Sequence, residues 1–319
     1  MSDRPELLVL RALKLGDLLV AVPALHALRG AFREHRMVLA TSGWLAPILP
    51  LVGGIDALLP ADSLDDPLPL RPGQVDVAVN LHGRGPQSHA LLDRLVPRQR
   101  LGYAAPGWDG PAWREDEHER VRWTRLVQAY GYAADVDDVA LARPDVPSPA
   151  PGAVVVHVGA FYGSRAWPVE RFAAVAAALQ ARGERVVLSG GDADRARAVE
   201  VGRLAGLGPD KVLAGGTTLP ELAALVAHAA LLVTVDTGAA HLASAYGTPS
   251  VVIFGPAPVA QWGPLAGGPH RVLTDERLRL GDVFSDRPDP ALLAVDVDAV
   301  LDAATALLAG HRRGHQRGT

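Results

Sequence analysis

The stretch Leu231-Leu232-Val233-Thr234-Val235-Asp236-Thr237-Gly238-Ala239-Ala240-His241-Leu242-Ala243-Ser244-Ala245-Tyr246 passes from an apolar run through a polar turn into small and apolar residues at helical spacing. Ser250-Val251-Val252-Ile253-Phe254 follows after a second short turn. The pattern predicts a strand over 231–235, a helix over 239–246 and a strand over 250–254. The strands are apolar throughout rather than alternating, which is the pattern of a parallel sheet covered by helices on both faces. Working back along the chain, the same rhythm predicts strands over 153–158 and 185–189 and helices over 169–182 and 193–205. Further forward in the chain it predicts a strand over 7–11, a helix over 17–31, a strand over 37–41, a short helix over 44–51 and a strand over 75–79.

Pro144, Pro147, Pro149 and Pro151 crowd one short segment, a composition that favours an extended connector over a helix or a buried strand. The expected organisation is therefore an N-terminal α/β domain over 1–148 and a second over 149–310, closed by a helix over 290–308, with a polar tail over 311–319. A chain of 319 residues fits two such domains. Two parallel sheets joined by a connector make a cleft, and ligands of such sheets bind beyond the carboxyl ends of the strands.

Hydrophobic residues make up 49% of the chain and charged residues 21%, enough apolar surface for full cores and against disorder. A formal net charge of −4 offers no global attraction for nucleic acid or an anionic membrane. Absence of cysteine excludes disulfides, thiol catalysis and cysteine-ligated metals. The first residues lack the basic and apolar regions of an export signal, and no apolar run reaches the roughly 18–20 residues of a membrane span, so a cytoplasmic protein is expected. Neither the GxGxxG fingerprint nor the GxxxxGK[ST] phosphate loop occurs at the first turn.

Four turns carry candidate chemistry. The small residues after Asp236 let helix amides approach a ligand closely, and free amides with the helix dipole favour an anion such as a diphosphate. Asp236 then accepts hydrogen bonds from sugar hydroxyls or helix amides; alternatively Asp236 or Thr237 merely caps the helix. His241, one turn further on, is either a packed histidine or a ligand contact. In Leu13-Lys14-Leu15-Gly16-Asp17, Asp17 is a general base if it faces a cleft, and otherwise an ordinary acid at a helix start. In His157-Val158-Gly159-Ala160-Phe161-Tyr162-Gly163-Ser164-Arg165-Ala166-Trp167-Pro168, Arg165 is a fixed cation able to offset charge on a departing diphosphate, or else a solvated arginine. Ser189-Gly190-Gly191-Asp192-Ala193-Asp194 places acids that either bind ribose hydroxyls or cap the next helix.

With the segments Leu13 to Asp17, His157 to Pro168 and Val235 to His241, and with Phe254-Gly255-Pro256 followed by Trp262-Gly263-Pro264, the chain resembles the heptosyltransferase-type glycosyltransferases of family 9. The resemblance covers essentially the whole chain and implies the GT-B architecture, two Rossmann-like parallel-sheet domains facing across a cleft. It implies an inverting, metal-independent transfer of a sugar, heptose from ADP-heptose, to a hydroxyl on a glycan, a glycolipid or a small metabolite. No cofactor is implied beyond the nucleotide-sugar donor, and peripheral membrane contact stays open. By the resemblance Asp17 matches the catalytic base, and Asp236, Thr237, Gly238 and His241 match the nucleotide-sugar turn. Lys14, Gly16, His157, Gly159 and Asp194 join the donor set, Arg165 stands where the family has a lysine, and His82 and Arg84 of Asn80-Leu81-His82-Gly83-Arg84 fall in the acceptor half. The alternative is a nucleotide-sugar epimerase or hydrolase of the same two-lobed fold.

Overall fold

The computed structural model describes residues 4–264 and 266–317. The chain divides into two compact units, Met1–Ala142 and Arg143–Thr319. The first contains β1 Glu6–Leu10, α1 Leu15–Val20, α2 Val22–Ala31, β2 Arg36–Thr41, α3 Leu49–Val52, β3 Ala57–Pro60, β4 Val77–Asn80, α4 Gln87–Asp93, β5 Gln99–Leu101 and α5 Glu119–Ala129. The second contains β6 Val154–His157, α6 Val169–Ala181, β7 Val186–Ser189, α7 Arg195–Ala205, α8 Leu219–Ala227, β8 Leu231–Val235, α9 Gly238–Tyr246, β9 Ser250–Ile253, α10 Val259–Trp262, β10 His270–Leu273, α11 Pro290–Leu293 and α12 Val297–Arg317.

Each unit is a five-stranded sheet, ordered β3-β2-β1-β4-β5 in the first and β10-β9-β8-β6-β7 in the second. All strand pairs are parallel, as the unbroken apolar strands require. The two orders differ, but both reverse direction once. In the first sheet the chain moves outward from β1 to β3 and then returns to the other side of β1 with β4. In the second it moves from β6 to β7 and returns to the other side of β6 with β8. At such a switch point the connections leave in opposite directions and the turns after the two central strands part to form a crevice. In the first unit those turns carry Asp17 and His82; in the second they carry Arg165 and Asp236.

Several helices stop where the sequence pattern continues, for identifiable reasons. The helix expected over 17–31 is two helices, because Pro23 near the start of α2 has no N–H to continue the ladder. Pro47 likewise lies inside a 3-10 turn, Gly43–Ile48, that precedes α3. The helix expected over 290–308 breaks into α11 and α12. The carbonyl of Val295 is taken by Trp167 Nε1 at 3.1 Å and Arg171 Nη1 at 2.7 Å, and Asp296 Oδ1 starts the new helix by accepting from Ala299 N at 2.8 Å. α12 then runs through Arg317, so the backbone is helical where a polar tail was expected; no proline interrupts it, and glycine costs only about 1 kcal/mol in a helix interior. Residues 318–319 lie outside the described residues.

The core of the second unit packs α6, α7 and α12 against the inner strands, with Trp167 and Phe172 fully buried and their rings edge to face at 4.9 Å between centroids. This contact anchors the far end of the Arg165 loop to α6. Phe172→Ala is expected to cost about 3–5 kcal/mol of unfolding free energy, from lost burial and the cavity left behind. A urea melt of the variant measures it, and a loss below about 1 kcal/mol would show that the loop end is not anchored there.

Candidate active-site turns

In the first unit the turn after β1 is held from beneath by Arg11. This residue follows an apolar strand and is almost fully buried. Its Nε donates to the Asp17 carbonyl oxygen at 2.5 Å, its Nη1 donates to the Leu81 carbonyl oxygen, and its guanidinium lies over the Trp123 ring at 4.7 Å from the centroid. Burial pulls its pKa below the ordinary arginine value, against the opposing pull of Asp17 and Glu119. Glu119 in turn accepts from Trp123 Nε1 at 3.0 Å and from Arg122 Nε at 2.7 Å. One buried cation thus connects β1, the turn after β4, and α5.

Asp17 is partly buried at the third position of α1, where its Oδ2 accepts from the Lys14 amide at 3.2 Å. Lys14 and Gly16 are also partly buried in this turn. Across the switch point the buried Asn80 shapes the turn after β4: Oδ1 accepts from His82 N at 3.0 Å, and Nδ2 donates to Gly83 O at 3.2 Å and Ser88 Oγ at 2.9 Å. These bonds occupy Asn80 in turn geometry. The His82 pKa is lowered to about 4, chiefly by burial and then by the positive charge of Arg11, with Asp17 pulling the other way. At neutral pH this imidazole is uncharged, and its Nδ1 has no hydrogen-bond partner among the described residues. Arg84 sits apart, exposed and paired with an exposed Glu115. A pair this exposed contributes at most about 1 kcal/mol, so Arg84 can exchange partners readily.

In the second unit the neighbouring strands β6 and β8 bring Arg165 and Asp236 together. Arg165 Nε lies 3.4 Å from Asp236 Oδ2, with the carboxylate almost buried and the guanidinium partly so. Asp236 is thereby placed against a cation, which lessens the repulsion it would exert on a nearby phosphate. Thr237 is the N-cap residue of α9 but its side chain does not cap the helix. Its Oγ1 instead meets Thr234 Oγ1 at 3.2 Å. The simple capping role for Thr237 therefore fails, and the helix opens on Gly238 and Ala239 with the dipole directed at the turn. His241 lies one turn on, its ring 6.4 Å from that of Trp262.

The Arg165 loop is clamped on both sides. Ser164, fully buried, donates Oγ–H to Val283 O and its amide to Ser285 O, each at 2.7 Å, and its carbonyl accepts from Asp289 N at 3.0 Å. Gly163 packs directly on Asp286: a Cβ there would lie 2.1 Å from the Asp286 carbonyl oxygen. At the loop's start, Asp194 receives Ala160 N on Oδ1 at 3.4 Å and Gly191 N on Oδ2 at 2.8 Å, stitching the turn after β6 to the turn after β7. His157 is buried under the same loop, with Nδ1 3.3 Å from Ser189 Oγ. A Cβ at Gly159 would come within 2.7 Å of His157 Nε2 and 2.8 Å of Asp194 Oδ2, so only glycine lets the backbone pass over both side chains. Residues that sequence reasoning missed are Arg11 and the clamp of Ser164 and Asp289. The one signal for Arg11 was a charged residue ending an apolar strand. Among the described residues, no group of three or more His, Asp or Glu side chains is gathered as a metal site.

Burial also lowers the His157 pKa to about 4, with Asp194 opposing. The unfolded chain, with histidine near its ordinary value of about 6.5, then binds the extra proton between pH 6.5 and 4. Stability is full above about pH 6.5 and falls as pH drops toward 4, by up to about 3 kcal/mol from this group. His157→Asn should flatten that part of the pH–stability curve measured by denaturant melts at pH 7 and 4.5. An unchanged slope would contradict the burial account.

Comparison with known proteins places these turns in context. Residues 126–277 match the family model described as glycosyltransferase family 9 (heptosyltransferase). Over 113 residues, 35% of the chain, the sequence is 41% identical to lipopolysaccharide heptosyltransferase 3 of Escherichia coli; the stretch spans 33% of that relative. The chain therefore aligns with about a third of this relative's length. The fold matches the structure of E. coli ADP-heptose lps heptosyltransferase II with a TM-score of 0.75 and 20% identity, covering 96% of this chain and 99% of that one. It also matches E. coli heptosyltransferase WaaC solved with ADP, with a TM-score of 0.71 and 18% identity over 95% and 99% of the two chains. The two five-stranded parallel α/β units are those of the GT-B class. The resemblance to glycosyltransferase family 9 is borne out over residues 126–277 by the family's own model, and the fold that it implies is matched over nearly the whole chain.

Proposed function

We propose that the chain is a glycosyltransferase that moves heptose from ADP-heptose to an acceptor hydroxyl, with inversion and without a metal. The observation that carries this reading is the grouping of Arg165, Asp236 and the N-terminus of α9 at one switch point inside the family-matched stretch. A fixed cation beside helix amides suits a nucleoside diphosphate. That a relative of the same fold was solved with ADP favours adenosine as the nucleoside. The relative named for lipopolysaccharide makes a lipopolysaccharide-core glycan the first acceptor to try, ahead of another glycolipid or a small metabolite.

In this reading Asp17 accepts the proton of the acceptor hydroxyl while its oxygen forms the new bond to the anomeric carbon. The bond from that carbon to the diphosphate oxygen breaks, and the electron pair leaves with ADP. Arg165 and the first amides of α9 meet the charge gained by the leaving group, a role in which pre-placed dipoles are worth more than reorganising water. Asp236 keeps Arg165 in position and is available to donor hydroxyls. His82, uncharged near neutrality, and the loosely paired Arg84 serve the acceptor. His157, Gly159 and Asp194 support the loop over which the donor lies, and Thr237, Gly238 and His241 complete the lining within the second unit; Lys14 and Gly16 form the turn that carries Asp17 in the first. The short loop around Arg165 replaces the usual lysine with a planar guanidinium, which can grip two phosphate oxygens at once. No helix among the described residues is long and apolar enough to cross a membrane, and we place the reaction in the cytoplasm.

Asp17→Asn is expected to lower kcat by about 10²–10⁴-fold, the usual range for a lost general base, with the Kd for ADP unchanged. Arg165→Gln is expected to weaken ADP binding by about tenfold or more, the loss of one charge-assisted contact. Steady-state kinetics with ADP-heptose and calorimetric titration with ADP measure the two effects. Retained turnover in Asp17→Asn would remove the base assignment. Release of free heptose or of an epimer without acceptor would favour the hydrolase or epimerase alternative.

A further inference from the structure

We infer that Arg11 is a positioning residue for the transfer step, tying the Asp17 turn to the His82 turn so that carboxylate and imidazole keep one fixed separation across the switch point of the first unit. The inference rests on the proposed role of Asp17 as base and adds a residue that touches neither substrate. The geometry is specific. A single guanidinium donates to the carbonyl of Asp17 and to the carbonyl of Leu81, the residue before His82. The two carbonyls are far apart in the chain, and Arg11 directly follows β1, the strand that pairs with the β4 strand preceding Leu81. The guanidinium reaches the two carbonyls from two nitrogens fixed in one plane, whereas a lysine ammonium would have to serve both from a single, freely rotating nitrogen.

The surroundings confine the guanidinium further. The Trp123 ring of α5 lies against it, 4.7 Å from guanidinium carbon to ring centroid, and Glu119 fixes that indole through its N–H. A positive charge almost wholly withdrawn from water is costly unless paired and hydrogen-bonded. Core packing alone would be served by an apolar residue at the end of an apolar strand. Here the charge is compensated by two carbonyls, an indole face and the nearby carboxylates of Asp17 and Glu119. A second consequence is electrostatic: the Arg11 charge adds to burial in keeping His82 unprotonated. His82 can thus accept a hydrogen bond from an acceptor hydroxyl at neutral pH rather than repel a proton donor.

The test compares Arg11→Lys, Trp123→Phe and Asp17→Asn in the full chain, with thermal melts to establish folding. Arg11→Lys is expected to lower kcat by about a hundredfold, the penalty of a misplacement near 1 Å, while the Kd for ADP stays within about twofold of the parent. Trp123→Phe keeps both hydrogen bonds but loosens the guanidinium plane; a fall in kcat of a few-fold, again with unchanged ADP affinity, is expected, and it decides the matter if Arg11→Lys does not fold. NMR titration of His82 in a folded Arg11→Met variant supplies a further readout, one that loss of stability alone does not move while His82 stays buried. In Arg11→Met its pKa should rise from about 4 by the part that the Arg11 charge supplies, with the larger effect of burial retained. A folded Arg11→Lys, or failing that Trp123→Phe, with parental kcat overturns the inference, as does an unmoved His82 titration in folded Arg11→Met. If instead Asp17→Asn retains turnover, the base reading itself has failed, whatever Arg11 does.

Discussion

A parallel sheet whose strand order reverses leaves two neighbouring turns diverging from its centre, and something must hold those turns at a fixed separation. In both units of this chain an arginine performs that role. Arg11 spans the turns after β1 and β4 through two carbonyls, and Arg165 spans the turns after β6 and β8 through the Asp236 carboxylate. The two solutions differ in a way that matches their proposed tasks. Arg11 is sealed from water and bonded to two backbone carbonyls, so its charge is committed to the scaffold. Arg165 remains partly exposed, its Nε–H makes no hydrogen bond among the described residues, and its contact with Asp236 is an ion pair at 3.4 Å. It retains donor capacity for a phosphate.

The second unit invests heavily in the rigidity of the Arg165 loop. Ser164 and Asp289 lock its middle, Asp194 and His157 support its start, and Trp167 anchors its end. Asp289 is itself almost buried, with Oδ1 accepting from Ala291 N at 2.9 Å and Oδ2 from Leu280 N at 3.1 Å and Gly281 N at 3.3 Å. A loop held at so many points costs little further ordering when a ligand arrives, which is the condition for electrostatic stabilisation without reorganisation. The same density of contacts explains the glycines at 159 and 163, where a Cβ would collide with a side chain or a carbonyl.

The inner strands and the turns that follow them were legible in the sequence, because buried parallel strands are long unbroken apolar runs. The strand over 231–235 matches β8 residue for residue. Three edge strands, β3, β5 and β10, escaped notice: each has only three or four residues, most of them partly exposed, and the apolar stretch in each is too short to mark a buried strand. Pairings between distant residues were also beyond reach. Arg165 and Asp236 could each be read as polar residues at strand ends, but their contact depends on β6 and β8 being neighbours, which the strand order decides. Arg11 lay inside the predicted strand over 7–11 and passed as its polar end, because its carbonyl partners at Asp17 and Leu81 come together only through the crossover. Asn80, which the family pattern set beside the acceptor, proved to be spent on the geometry of its own turn.

The central claim is that the switch point of the second unit holds the nucleotide of the donor. Hydrogen–deuterium exchange of the full chain with and without ADP tests it most directly. The account predicts slowed exchange at the start of α9 and in the loop over 159–166, with the turns at Asp17 and His82 unaffected by ADP alone. Protection confined to the turns of the first unit, with the start of α9 unchanged, would contradict it.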